Sequence, residues 1–270
     1  MSHQTLATMG SPPYQYILYE LENGLARITL NRPKKKNAIK FEMMAEITNA
    51  LKRAEKDENV VICMLTGAGD FYCSGNDLTN FQNPVGGSLE EGLKFGSELL
   101  ENFLKAFIDF PKQLIVAVNG PAVGVAVTTL GLADVVYASD TATFETPFTT
   151  LGQCAEGCSS YTFSKIMGNS LASEVLYFGR KLSAQEAKSC GLISDVFPSS
   201  TFRDEVERRV RNYATLPPKT LMAAKKLCRD GERARLHQAV KSELETLNVL
   251  WVSEECMNGV MNFLMKKSKL

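Results

Sequence analysis

Two glycine turns, each entered from an apolar run, are the places where this chain could hold a negative charge. Leu114 to Val118 is a short, β-branched run that suits a strand buried on both faces, and Asn119-Gly120-Pro121 ends it. Gly124 then opens Val125 to Leu132, a small, apolar stretch that reads as a buried helix and is too short to span a membrane. A strand, a glycine turn and a helix start leave backbone N–H groups pointing out of the helix N-terminus, where the dipole favours an anion. Val60 to Thr66 repeats the order and runs into Gly67-Ala68-Gly69-Asp70-Phe71-Tyr72-Cys73-Ser74-Gly75-Asn76-Asp77-Leu78. One such turn is equally a plain βα connection, so it is the repetition that points to chemistry.

Side chains narrow the options. Seven cysteines (63, 73, 154, 158, 190, 228 and 256) are scattered and odd in number, which fits reduced thiols in an intracellular compartment. Cys154 and Cys158 are four apart but have no histidine nearby to complete a zinc set, so no metal is expected. Cys73 lies beside the first turn, yet a nucleophilic thiol needs a base, and the only histidines are His3 and His237. Thirty basic and thirty acidic residues cancel, which leaves no electrostatic footprint for nucleic acid. No apolar run reaches the ~20 residues of a membrane span, and 44% hydrophobic content is ordinary for a soluble domain.

The elements that must position these turns follow from periodicity. Tyr16 to Leu21 and Leu25 to Leu30 alternate as strands around the hairpin signal Asn23-Gly24. Phe41, Met44, Ile47, Leu51 and Ala54 share one face of a helix over Lys40 to Asp57. A loop from Asn80 to Ser88 precedes a second amphipathic helix, Leu89 to Phe110, ended before Pro111. Later come a capping box at Ser183 to Glu186, an extended segment at Leu192 to Phe197, and a helix from Phe202 to Leu216 closed by Pro217-Pro218. Three more helical segments are expected around 220–229, 233–252 and 254–265.

Ser74-Gly75-Asn76-Asp77-Leu78 and Ala117 to Gly124 together resemble the two signatures of the crotonase (enoyl-CoA hydratase/isomerase) superfamily. The resemblance runs from about Tyr16 to the C-terminus. It implies an α/β fold, a crotonase-like spiral of ββα repeats over residues 14–200, with a helical C-terminal trimerisation region over 201–267. It also implies a fatty acyl-CoA substrate, with coenzyme A part of the substrate and no separate cofactor, and a homotrimer or dimer of trimers. One N–H from each turn would form an oxyanion hole for the thioester carbonyl, which carries over to Ser74 and Val125. Ser74, Gly75, Asn76, Asp77, Leu78 and Gly124 would line the pantetheine path, although Asx residues in such turns often only hold the turn. Lys34-Lys35-Lys36 resembles a basic loop near the coenzyme A phosphates, and is equally read as a solvated turn.

The acids decide the reaction. Where the family's hydratases carry two glutamates, this sequence has Thr128 and Phe148, neither of which moves a proton at neutral pH. Glu156, in Leu151 to Ser160, stands where the family's peroxisomal Δ3,Δ2-enoyl-CoA isomerases carry their catalytic glutamate. By itself it is also an ordinary acid in a helix's first turn. The expectation is an isomerase that moves the double bond of 3-enoyl-CoA, cis or trans, to trans-2-enoyl-CoA in unsaturated fatty acid β-oxidation. The alternatives are a related hydratase or dienoyl isomerase, or a crotonase-fold module that binds coenzyme A or a protein without turnover. Residues 1–13 read as a loose tail, and Ser268-Lys269-Leu270 as the tripeptide recognised by the peroxisomal import receptor, which implies the peroxisomal matrix.

Overall fold

The structure, a computed structural model, describes residues 14–81 and 89–267. The expected tail (1–13), most of the loop at 80–88 and the tripeptide 268–270 lie outside the described residues. Strands β1 (Ile17–Glu22) and β2 (Leu25–Leu30) form the expected hairpin, with Asn23 and Gly24 both at positive φ. Helix α1 (Phe41–Lys56) buries Met44, Ile47, Leu51 and Ala54 as its periodicity requires, and leads to β3 (Ile62–Gly67). Helix α2 (Leu89–Ile108) packs against α1 and returns the chain to β4 (Gln113–Val118).

The chain from Pro121 onward builds a second layer. Strand β5 (Ala122–Val123) is followed by a single turn, α3 (Val125–Thr128), and a 3₁₀ turn at Thr129–Leu132, so the buried helix expected over 125–132 splits in two. Next come β6 (Val135–Ser139), β7 (Thr143–Glu145), α4 (Ser159–Phe178), β8 (Leu182–Ser183), α5 (Ala184–Ser189) and β9 (Asp195–Phe197). The main sheet runs β1-β2-β3-β4-β6-β9, parallel beyond the first hairpin, and a smaller sheet runs β5-β7-β8. This is the expected α/β class. Crossovers from parallel strand to parallel strand set β3 and β4 side by side, so both glycine turns leave the same end of the sheet.

Helix α4 escapes a periodicity search because its apolar residues do not fall on one stripe and Gly168 interrupts it with a kink. The C-terminal region comprises α6 (Phe202–Tyr213), α7 (Pro218–Trp251) and α8 (Glu254–Lys267). Here the expectation of separate segments at 220–229 and 233–252 is corrected. α7 is one helix of 34 residues that passes through Gly231, where tertiary packing outweighs the roughly 1 kcal/mol that an interior glycine costs.

A buried ionic cluster docks α7 on the sheet. Lys225 Nζ donates to Asp134 Oδ2 and to the Lys112 carbonyl, both at 2.7 Å, while Lys112 Nζ donates to the carbonyls of Ala54 and Asp57. Asp134 also accepts the N–H of Leu114 at the start of β4. Burial pushes the Lys225 ammonium below its ordinary pKa, and Asp134 opposes that shift. Removing one member of such a cluster strands the other: Lys225→Met is expected to lose about 3 kcal/mol of stability, read as a lowered urea midpoint with unchanged slope. A midpoint equal to the wild type's would show that the cluster contributes nothing.

Candidate active site

The turn after β3 and the turn after β4 are stitched together by backbone. Cys73 N–H donates to the Pro121 carbonyl at 3.3 Å and Val123 N–H to the Cys73 carbonyl at 3.0 Å. Between them sits Gly75 at φ +82°, where an added Cβ would lie 2.7 Å from the Val123 carbonyl oxygen. Only glycine allows this approach. The basic loop braces the same turn from behind. Asn37 is fully buried and donates to the carbonyls of Ala68, Phe71 and Tyr72, and Arg32 pairs with Asp77 at 3.0 Å.

The donor expected at Ser74 is corrected by this geometry. Ser74 N–H already donates to the Lys36 carbonyl at 2.9 Å. Simple alternation would send the N–H of residue 76 to the same side. Instead, the left-handed Gly75 shifts the alternation by one: Asp77 N–H donates to the Ile39 carbonyl, Ile39 N–H donates to the Gly75 carbonyl, and Asn76 N–H faces away. No acceptor among the described residues takes the N–H of Asn76, nor that of Val125, the first residue of α3. Gly124 N–H is used by the Glu145 carbonyl, which fixes the start of α3.

Asn76, Val125 and Glu156 line one cleft of about 560 Å³ of empty space, partly open to solvent. Its other walls are Phe41 and Met44 from α1, Leu93 and Leu100 from α2, and Trp251 from the end of α7. Glu156 is the one ionisable side chain among the described residues of that lining. Its carboxyl takes no hydrogen bond from a described residue. Burial, and then the charge of Glu243, push its pKa up to about 8.

The other expected residues divide by role. Asp77 accepts from Arg32 and from the N–H and hydroxyl of Thr79, so its carboxylate holds the turn. Gly75 and Gly124 shape the backbone, and Leu78 begins a 3₁₀ turn at Leu78–Phe81. Asn76 Oδ1 accepts from Asn80 at 2.6 Å. Thr128 and Phe148 are buried as packing: the Thr128 hydroxyl donates to the Val125 carbonyl and crowds Gly157, and Phe148 lies beneath Gly124. Among the described residues no group of three His, Cys, Asp or Glu side chains could hold a metal ion. No helix there is long and apolar enough to cross a membrane.

A family model described as enoyl-CoA hydratase/isomerase matches residues 20–269. The chain belongs to the enoyl-CoA hydratase/isomerase family. Within that family it is 53% identical to enoyl-CoA delta isomerase 2 of Rattus norvegicus over 94% of this chain, and spans 64% of that relative's length. It is 47% identical to enoyl-CoA delta isomerase 3, peroxisomal, of Mus musculus, over 94% of this chain and 79% of that one. The likeness extends to the Chromodomain Y-like protein of Homo sapiens, 37% identical over 94% of this chain but 42% of that protein. An enoyl-CoA hydratase/isomerase structure from Pseudoalteromonas atlantica T6c superposes with a TM-score of 0.86 at 32% identity, covering 93% of this chain and 98% of that one. The family's crotonase fold is therefore the fold of this chain.

Proposed function

We propose that this chain is a Δ3,Δ2-enoyl-CoA isomerase acting on fatty acyl-CoA. The observation that carries the reading is Glu156, the one ionisable side chain among the described residues of the cleft, beside two N–H groups that no described residue accepts. One carboxylate suffices for this reaction. Glu156 takes a proton from C2 of a 3-enoyl thioester and returns it to C4, while charge moves onto the thioester oxygen. The N–H groups of Asn76 and Val125 hold that oxygen more tightly in the enolate than in the ground state, which is where stabilisation accelerates the step. Hydration would need a second acid or base to handle water, and Thr128 and Phe148 supply neither. The names of the rat and mouse relatives support the same reading.

Mixing the protein with 3-hexenoyl-CoA should raise the absorbance of the conjugated 2-enoyl thioester. Product analysis should find trans-2-hexenoyl-CoA and no 3-hydroxyacyl product. An unchanged spectrum would instead favour a binding module.

The pH dependence has a definite sign. Glu156 acts as a base only when ionised, so kcat/KM should climb with pH along a limb centred near the carboxyl's value of about 8. A limb near the ordinary carboxylate range would contradict a desolvated base. Stability moves the other way. The folded state holds this proton more tightly than the unfolded one, so the associated stability is complete below the unfolded carboxyl's range and is lost as pH rises through about 8. Glu156→Gln should therefore melt higher than wild type at pH 8.5 and equally at pH 4.

The same reading takes residues 14–200 as the spiral core and 201–267 as a helical region of the same domain that joins copies into a trimer or dimer of trimers. Exposed Val249 on α7, Val252 just after it, and Met257 and Met261 on α8 support such a contact. It includes a peroxisomal location, supported by the word in the mouse relative's name and by Ser268-Lys269-Leu270. A fluorescent protein fused ahead of the chain should collect in peroxisomes and disperse when Leu270 is deleted.

A further inference from the structure

We propose that Glu243, on α7, is a positioning residue for Glu156: it pins the segment that carries Glu156 and sets a second carboxylate behind it. The inference rests on the reading of Glu156 as the base. Glu243 is 5% exposed, and its carboxylate is fully engaged as an acceptor. Oε2 accepts the N–H of Cys158 at 2.8 Å, and Oε1 accepts the N–H and the hydroxyl of Ser160 at 3.0 and 2.5 Å. Ser159 completes the clasp, since its N–H and hydroxyl both donate to the Glu156 carbonyl. The chain from Glu156 to Ser160 is thus held at both ends, which anchors the backbone that carries Glu156 beside the cleft.

A helix cap alone would be a simpler explanation, and the local sequence argues against it. Serine, threonine or aspartate at position 158 would cap α4 from within at little cost. The chain instead has Cys158 in a left-handed conformation, φ +64°, with no side-chain cap, and draws its acceptor from another helix. Burying a full charge is expensive when a neutral cap would do. The charge has a recipient: Glu243 acts on Glu156 and pushes its pKa in the direction that a base working near neutrality needs.

Among the described residues the other ionisable groups facing the pair are the thiols of Cys154 and Cys158, both kept neutral because burial, then Glu243, push them up. Burial pushes the Glu243 carboxyl above its ordinary value, the Ser160 and Cys158 donors oppose that shift and favour its ionised form, and no cation contributes to the shift of Glu156 or of Glu243. The same face of α7, four residues at a time, carries Glu243, buried Leu247 and the cleft-lining Trp251. One helix face therefore steadies both the base and the cleft wall.

Two substitutions separate charge from grip, each read as a pH profile of isomerase turnover. Glu243→Gln removes the charge: the limb in kcat/KM should move down by about one pH unit and the plateau kcat should fall roughly tenfold, with KM for the thioester little changed. Glu243→Asp keeps the charge but is too short for both loop amides: the limb should stay in place while kcat falls. A Gln profile that overlays wild type overturns the proposal, as does an Asp variant at full kcat. Should the Gln variant fail to fold by circular dichroism, the Asp variant carries the decision by the same criterion. Wild-type protein without turnover would overturn the isomerase reading and this inference with it, whereas active wild type with indistinguishable variants overturns this inference alone.

Discussion

Glu156→Gln is expected to retain the fold and to lose about 10²–10⁴-fold in kcat, the range supplied by a positioned general base. The substitution keeps the shape of a side chain whose carboxyl has no hydrogen-bond partner among the described residues, so nothing else is disturbed. It also removes a charge that burial disfavours, which is why the variant should gain stability at high pH while losing activity. That opposite movement separates the prediction from simple damage. Turnover of 3-hexenoyl-CoA within a few-fold of wild type would remove Glu156 from the mechanism, and a destabilised variant at pH 8.5 would contradict the burial argument.

Gly75→Ala should cost nearly as much without touching any reacting side chain. The new Cβ would meet the Val123 carbonyl oxygen at 2.7 Å, and alanine resists φ +82°. Two backbone segments in contact must part, and with them the N–H groups of Asn76 and Val125. Loss of one oxyanion donor costs roughly 2.7–4 kcal/mol of barrier, or about 10²–10³ in kcat. Gly69→Ala is the matched control. It also stands at positive φ, +75°, but its nearest neighbour is the side chain of Pro33, away from the cleft. Equal losses in the two variants would show that backbone strain, rather than the spacing of the two turns, sets the rate.

Much of this architecture was written in short-range pattern. The hairpin at Asn23-Gly24, the buried face of α1, and the capping box in which Ser183 and Glu186 exchange hydrogen bonds all depend on residues within a turn or two of each other. So do the two apolar strands running into glycine turns, whose residues carry the resemblance to the family. Helix α4 was less legible because its kink and its even spread of apolar residues leave no periodic stripe, and the length of α7 was hidden by Gly231. That Ser74 N–H is engaged by Lys36 while Asn76 N–H meets no acceptor among the described residues depended on one dihedral angle, that of Gly75, which a sequence with a flexible glycine does not specify.

From residue types and spacing came the two glycine turns and the sheet strands that bear them, and the resemblance those residues carry implied the family and Glu156 as the acid to test. Tertiary structure alone decided which amides find no acceptor among the described residues, that Trp251 and Leu93 wall the cleft, and that Glu243 reaches the loop at Cys158 and Ser160 from a distant helix. Periodicity and capping are local energies, and the residues involved sit close together in the chain. The direction of an N–H and the dielectric around a carboxyl are set by whatever the folded chain packs against them, and that is a property of long-range contacts.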